Sequence, residues 1–195
     1  TTNADIEGTK RHWCVGADNA QGAHIAGRMM GLFLGGKGRI AVVSSAIASE
    51  NNNCYVQLRE NEFKRFVRET YPDIQIVTTI DSFENPQITY EKTAQLLRDY
   101  QDLQGLYITC GGVSQVGRAL EESGRAKDIR VISYEDYPEV VEFVRKDVID
   151  CTLAGEIQKQ GEIPVQLIMD HLVFGKQPEN DQGFTEIKVI VKESL

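Results

Sequence analysis

The regular alternation of strand-like and helix-like segments is the feature that most constrains the fold of this chain. Six runs are rich in the β-branched and aromatic residues that favour strands: HWCVG, RIAVVSS, IQIVTTI, LQGLYITC, IRVISYE and TEIKVIV. Amphipathic helical patterns are predicted near residues 20–34, 56–71, 86–100, 113–124, 138–147 and 162–174. A strand followed by a helix, repeated along a chain, predicts an α/β fold with parallel sheets flanked by helices.

Prolines and glycines mark the ends of several predicted elements. Asn85 and Pro86 are typical of an N-cap followed by proline at the first helical position. Pro164 would interrupt a helix that began near Glu156, so the last helix is expected to begin near Glu162. The three glycines of LGGKG, residues 34–38, predict a hinge.

Length and charge narrow the classes of function. A chain of 195 residues, 41% of them hydrophobic, can bury a sizeable core. Its net charge of −8 leaves no basic surface suited to nucleic acid, so any DNA contact would need another segment. Apolar stretches are all shorter than the ~20 residues of a membrane span, and no membrane partner is predicted.

The cysteines and histidines form no recognisable metal or catalytic motif. The four cysteines are widely spaced and form no CxxC pair, so no metal ligand is predicted: Cys14, Cys54, Cys110 and Cys151. Unpaired buried thiols fit a reducing compartment, which predicts a cytoplasmic location. The three histidines have no Ser or Cys partner in a nucleophile motif, so neither catalytic residues nor an enzyme or cofactor is predicted.

The glycine turn in YITCGGVSQVG follows a predicted strand. Gly112 and Gly117 have the spacing of a phosphate-binding loop, but Arg118 and Ala119 replace its Lys and Ser/Thr. Two interpretations stay open. Gly111 and Gly112 either form a tight strand-to-helix turn or let the backbone approach a ligand at the carboxyl end of a strand.

Polar side chains follow two other predicted strands. Asp18 and Asn19 end the run VGADN, where they either cap the next helix or face a ligand. Tyr134, Glu135 and Asp136 follow IRVIS and form either an acidic loop or a site for a polyhydroxyl ligand. Carboxylates accept hydrogen bonds from several hydroxyls, and an aromatic ring covers the apolar face of a sugar.

In this order, these pieces resemble the effector-binding region of LacI/GalR-type transcription regulators, which share the fold of type I periplasmic sugar-binding proteins. The resemblance covers nearly the whole chain and rests on VGADNAQGAHIAGRMM followed by GGKGRIAVVSS. It also rests on Arg59 and Phe63 at the family's R-x-x-G-F, on IRVISYEDYPE at its strand ending in G-x-D-D, and on the closing IKVIVKESL.

The resemblance implies two lobes joined by crossing strands, with the ligand between them. Residues 1–37 and 155–178 would belong to the N-terminal lobe, and residues 38–154 and 179–195 to the C-terminal lobe. A helix-turn-helix headpiece and part of the N-terminal lobe would precede Thr1, so the chain is expected to lack part of that lobe.

The resemblance also turns several polar residues into candidate ligand contacts. Asp18 and Arg59 match positions that hydrogen-bond sugar hydroxyls in the family, and Glu135 matches the first Asp of G-x-D-D. Gly111 and Gly112 replace the family's Asn-Asp, and Gly155 replaces a Gln near the third crossing. Losing the Asn side chain removes a common sugar contact, so the ligand is expected to differ from a simple hexose or pentose. The predicted ligand-binding set is Asp18, Asn19, Arg59, Cys110, Gly111, Gly112, Tyr134 and Glu135.

The main functional expectation is therefore a non-catalytic, cytoplasmic domain of a LacI-family regulator that binds a sugar or polyol effector. Lobe closure around the effector would change the geometry of a homodimer and the affinity of the headpiece for operator DNA. The alternative is a solute-binding protein of an ABC sugar transporter, which would use the same cleft. The unpaired cysteines and the closing segment favour the regulator.

Overall fold

The computed structural model describes residues 1–5, 8–45 and 54–195. The strands are β1 (Cys14–Ala17), β2 (Lys37–Ser44), β3 (Asp73–Asp81), β4 (Gly105–Ile108), β5 (Arg130–Tyr134), β6 (Cys151–Gly155), β7 (Gln182–Thr185) and β8 (Ile187–Ile190). The helices are α1 (Asn19–Phe33), α2 (Cys54–Thr70), α3 (Pro86–Asp99), α4 (Val113–Ser123), α5 (Pro138–Arg145) and α6 (Ile157–Phe174). The short 3₁₀ helix Lys192–Ser194 follows β8.

The described strands form two sheets. The larger has the order β3-β2-β4-β5-β6-β8, with β8 antiparallel to β6 and the other neighbours parallel. The smaller pairs β1 with β7 in parallel, and Thr2 adds a parallel bridge to Val15 on β1. The predicted α/β fold with parallel sheets flanked by helices is confirmed.

The larger sheet is covered on both faces, which is why its strands are continuous apolar runs. Side chains alternate along β2, so Ile40 and Val42 pack in one core cluster while Ala41 and Val43 pack in the other. The first cluster takes in the buried side of α1 and α2, and the second takes in α3, α4 and α5. Helix α1 therefore packs against the larger sheet.

The expected start of the last helix is wrong. Helix α6 begins at Ile157 and contains Pro164. Proline lacks the N–H that would bond to the carbonyl of Gln160, four residues earlier. The hydroxyl of Thr2 donates a hydrogen bond of 2.7 Å to that carbonyl instead. A contact between residues 158 positions apart thus satisfies the group that the proline leaves unbonded.

Two strands differ from the sequence prediction. Strand β6 was not predicted, because its five residues are nearly all buried and show no alternation of polar and apolar positions. The run TEIKVIV, expected as one strand, is divided between the two sheets at Glu186, with Thr185 in β7 and Ile187 in β8.

Within the residues that the structure describes, the chain passes between the two sheets at three places. The first follows Ala17, where β1 of the smaller sheet leads into α1. The second follows Gly155, where β6 leads into α6, a helix that packs against β1. The third is Glu186, between β7 and β8. The segment LGGKG is not one of these crossings. It joins α1 to β2, where β2 is a strand of the larger sheet and α1 packs against that sheet.

Candidate functional site

A cavity of about 430 Å³ lies beside the first and second crossings. It is lined by Thr2, Asn3, Ala17, Tyr55, Arg59, Glu135, Tyr137, Gly155, Ile157, Gln160 and Gly161. Ala17, Glu135 and Gly155 lie at or just beyond the carboxyl ends of β1, β5 and β6. Ligands of α/β proteins bind at that edge of a sheet. A smaller cavity of about 260 Å³ shares Asn3, Ala17 and Tyr55 and adds Asp18 and Asn19.

Arg59 is the buried cation of this site. It lies on α2 and is only 8% exposed. Its Nε donates 2.7 Å to Oδ1 of Asn19, and Nη1 donates 3.2 Å to the carbonyl of Thr109. Its Nη2 lies 3.7 Å from a carboxylate oxygen of Glu135, and its guanidinium covers the ring of Tyr134. The side chain is therefore fixed in place by residues from three other parts of the chain.

Asp18 and Asn19, at the first crossing, make different hydrogen bonds. Asp18 is the N-cap of α1, and its carboxylate accepts a hydrogen bond of 2.9 Å from the backbone N–H of Gln21. Asn19 is the first helical residue; its Nδ2 donates to the carbonyl of Ala17 while its Oδ1 holds Arg59. The cap position is thus Asp18, and both residues line the smaller cavity.

Glu135 occupies a backbone conformation that non-glycine residues rarely adopt, with φ of 76°. Its N–H donates to the carbonyl of Leu153, and its carbonyl accepts 2.6 Å from the hydroxyl of Thr152. These bonds to β6 hold the strained residue in place. Its side chain is about one third exposed and lines the larger cavity.

Tyr134 lies beneath the site. Only 3% of it is exposed, and its hydroxyl accepts a hydrogen bond of 3.1 Å from the hydroxyl of Tyr107. Burial raises the pKa of Tyr134 to about 12, because ionisation would place a charge in an apolar environment. The ring therefore supports Arg59 from below as a neutral group.

The turn Cys110–Gly111–Gly112 lies at the end of the neighbouring strand β4, apart from the residues that line the two cavities. The thiol of Cys110 is 3.3 Å from the hydroxyl of Ser82, and burial raises its pKa to about 11. Gly112 has φ of 88° and precedes α4, and a Cβ there would lie 2.9 Å from the side chain of Thr89. The positive φ and the contact with Thr89 explain why the tight strand-to-helix turn has a glycine at position 112. Position 111 has no such constraint, since a Cβ there would meet no atom within 4 Å.

Three residues that the sequence did not single out also line the larger cavity. Tyr55 precedes Arg59 by one helical turn, and its ring lies 5.2 Å from the guanidinium of Arg59. Tyr137 is 55% exposed at the start of α5. Gln160 is 5% exposed, and it was missed because the expected start of α6 excluded it. Burial of a glutamine in the first turn of an amphipathic helix has no signature in the sequence.

The described residues hold no cluster of three or more side chains suited to a metal ion. Within the same ranges, no helix is long and apolar enough to cross a membrane. The histidines lie away from the cavity: His24 contacts Glu62 at 3.0 Å, and the rings of His12 and His171 pack with Trp13.

Comparison with known proteins identifies the family. A family model described as a periplasmic binding protein domain matches residues 1–177. The chain belongs to this family of periplasmic binding proteins. No curated protein sequence matches it.

Solved structures agree with the family assignment. GanP, a glucose-galactose binding protein from Geobacillus stearothermophilus, is 26% identical, with a TM-score of 0.88 over 99% of this chain and 67% of its own. A sugar-binding protein of a sugar ABC transporter from Bacillus halodurans is 23% identical, with a TM-score of 0.87 over 98% and 67% of the two chains. AraP, an arabinose binding protein from Geobacillus stearothermophilus, is 22% identical, with a TM-score of 0.82 over 95% and 65%. The chain spans about two thirds of the length of these structures.

These findings correct the expected cytoplasmic location, which is wrong. The relatives include a periplasmic solute binding protein of an ABC transporter from Actinobacillus succinogenes 130z, in addition to the sugar-binding proteins above. Cys14, Cys110 and Cys151 are free and buried, as expected, but a buried free thiol does not require a reducing compartment. Thiolates are the reactive form of cysteine, and burial holds the pKa of Cys110 and Cys151 far above neutral pH. The assignment to LacI-type regulators is not confirmed.

Proposed function

We propose that this chain is the sugar-binding part of a solute-binding protein that serves an ABC transporter. The observation that carries the proposal is the buried Arg59, held between Asn19 and Glu135 at the edge of a 430 Å³ cavity. The relatives named for glucose, galactose and arabinose support a sugar as the ligand class.

The chemistry of the cavity suits a hydroxyl-rich ring. A sugar hydroxyl both donates and accepts hydrogen bonds, and Glu135 supplies acceptor oxygens while Arg59 supplies N–H donors. The rings of Tyr55 and Tyr137 line the same space and can cover the apolar face of a pyranose. A volume of 430 Å³ lies within the range of small-molecule sites.

The predicted binding residues take different parts in this proposal. Asp18, Asn19, Arg59 and Glu135 would contact the ligand or orient a residue that does. Tyr134 would support Arg59, since its ring is buried. The turn from Cys110 to Gly112 lies apart from the residues that line the two cavities, so this proposal gives it no direct contact with the ligand.

We propose that the two sheets belong to two lobes that close on the ligand. The boundary lies after Ala17 rather than near residue 37, because α1 packs against the larger sheet. The smaller lobe would contain β1, β7 and α6. Several large apolar residues of α6 are at least half exposed: Val165, Met169, Leu172, Val173 and Phe174. A further part of this lobe would cover them, in keeping with the greater length of the relatives.

The test is a calorimetric titration of the full gene product with D-glucose, D-galactose, D-arabinose and D-allose. We expect one sugar to bind with one-to-one stoichiometry. Adding DNA from upstream of the gene that encodes this protein should leave the sugar affinity unchanged. Specific binding to that DNA, altered by one of the sugars, would support the regulator and contradict the transporter role. Binding to none of the four sugars would contradict the proposed ligand class.

A further inference from the structure

Gln160 connects the cavity with all three crossings between the sheets. It is 5% exposed and lines the cavity from the first turn of α6, just after the second crossing. Its Nε2 donates 3.2 Å to the hydroxyl of Thr185, the last residue before the third crossing. That hydroxyl in turn donates 3.4 Å to the carbonyl of Gly16, beside the first crossing.

Gly155 makes room for this amide at the end of β6. A Cβ at residue 155 would lie 2.8 Å from Nε2 of Gln160 and 3.2 Å from Cβ of Ala17. Both distances are shorter than ordinary packing contacts, so any larger residue would displace the amide or the first crossing. The glycine and the glutamine therefore act as a pair that places an amide at the cavity wall.

The amide retains hydrogen-bonding capacity on the cavity side. A glutamine side chain has two N–H donors and one carbonyl acceptor, and the bond to Thr185 uses one donor. Burying the rest of a polar amide is costly unless it finds partners, and a sugar hydroxyl can serve as both donor and acceptor. The position of Gln160 among the lining residues, facing the same space as Glu135 and Arg59, gives it access to such a ligand.

We propose that Gln160 binds a sugar hydroxyl through its side-chain amide and sets the preference between sugar epimers. The inference rests on the proposed sugar-binding function and names one of its specificity-determining residues. The hydrogen bonds through Thr185 to Gly16 then join this ligand contact to the backbone at the crossings, where the lobes would move.

The experiment compares two Gln→Met substitutions on the same helix of the full gene product. Gln160→Met keeps the length of the side chain and removes its amide. Gln166→Met makes the same change at an exposed position, where Nε2 bonds to Asp170. We expect Gln160→Met to weaken the preferred sugar about tenfold and to change the ratio of affinities for D-glucose and D-galactose. Gln166→Met should leave both values unchanged.

Stability and binding are measured separately so that a structural role is distinguishable. A Gln160→Met protein that unfolds at lower urea concentration but keeps the affinity and the epimer ratio would overturn the inference. Gln160→Glu provides the second variant, because it keeps the shape and an acceptor while it loses the donors. Its epimer ratio should also change, and an unchanged ratio contradicts the inference even if Gln160→Met fails to fold. Absence of sugar binding in the unsubstituted protein would instead overturn the proposed function itself.

Discussion

The guanidinium carbon of Arg59 lies 3.7 Å from the centre of the Tyr134 ring. Below that ring, Tyr107 donates a hydrogen bond to the hydroxyl of Tyr134 and stacks on Phe63 with ring centres 3.9 Å apart. The cation at the cavity therefore rests on a buried aromatic column that belongs to the core of the larger sheet. Because that column is buried and hydrogen-bonded, we expect the position of Arg59 to be set before any ligand binds.

Replacing Arg59 by lysine tests the importance of this fixed geometry. A lysine keeps the charge but cannot reproduce the planar set of donors that reaches Asn19 and Thr109 together. We expect Arg59→Lys to weaken sugar binding roughly tenfold to a hundredfold, as measured by calorimetric titration.

Arg68→Lys is the matched control for that substitution. Arg68 lies on the same helix, is exposed, and bonds to the carbonyl of Lys64. Its replacement should change affinity by less than a factor of about two. Equal effects of the two substitutions would contradict the assigned importance of the fixed guanidinium geometry at Arg59.

The Tyr107–Tyr134 hydrogen bond can be tested by a double-mutant cycle. Tyr134→Phe leaves the buried hydroxyl of Tyr107 without its acceptor, and we expect a loss of about 1–3 kcal/mol in the free energy of unfolding. Tyr107→Phe should also destabilise the protein, while the double variant should be more stable than Tyr134→Phe because no unpaired hydroxyl is left. Strictly additive losses in urea unfolding would mean that the two hydroxyls do not interact.

The sequence predicted the order and type of most elements because their signals are local. Alternating strand and helix patterns, Asn85 as the N-cap of α3 and Pro138 at the start of α5 all depend on residues close in the chain. The start of α6 was beyond such reasoning. Its continuation through Pro164 depends on the hydroxyl of Thr2, which only the folded chain brings to the carbonyl of Gln160.

The candidate site was predictable to the extent that polar residues follow strands. Asn19 follows β1 of the smaller sheet and Glu135 follows β5 of the larger one, as expected for polar residues at strand ends. Arg59 lies on α2 and contacts both of them, which only the folded chain shows. The different positions of Tyr134 and Glu135 were not predictable, because β5 ends at Tyr134 and the left-handed backbone of Glu135, with φ of 76°, has no signal in the sequence. Gln160 was not predictable from its own segment either, because its burial arises from the packing at the crossings.

Alkaline pH should destabilise the protein through its buried thiols. Burial raises the pKa of Cys110 to about 11 and that of Cys151 to about 12, from a value of 9.0 in the unfolded chain. Above pH 9 the unfolded chain loses these protons while the folded protein keeps them, so the free energy of unfolding falls as pH rises. The stabilisation from each neutral thiol is complete below pH 9 and is lost by about pH 11 or 12.

Urea unfolding at pH 8, 9 and 10 measures that dependence. Each thiol contributes at most about 1.4 kcal/mol per pH unit in this window. Cys151→Ala should reduce the slope, even though the cavity that it leaves lowers stability at every pH. An identical slope in Cys151→Ala and the unsubstituted protein would contradict the assigned cause.

Two helical glycines should respond in opposite directions to the same substitution. Alanine is favoured over glycine in helices by about 1 kcal/mol, so Gly161→Ala in α6, where a Cβ meets no atom within 4 Å, should raise the free energy of unfolding by roughly 0.5–1 kcal/mol. At Gly27 in α1 a Cβ would lie 2.6 Å from the ring of Phe66 on α2. That ring also stacks on His24 of α1, which limits its movement, so overpacking should outweigh the helical preference and cost about 1–3 kcal/mol. Stabilisation of similar size by both substitutions would show that the Phe66 ring shifts freely and that the close approach of α1 and α2 does not require a glycine.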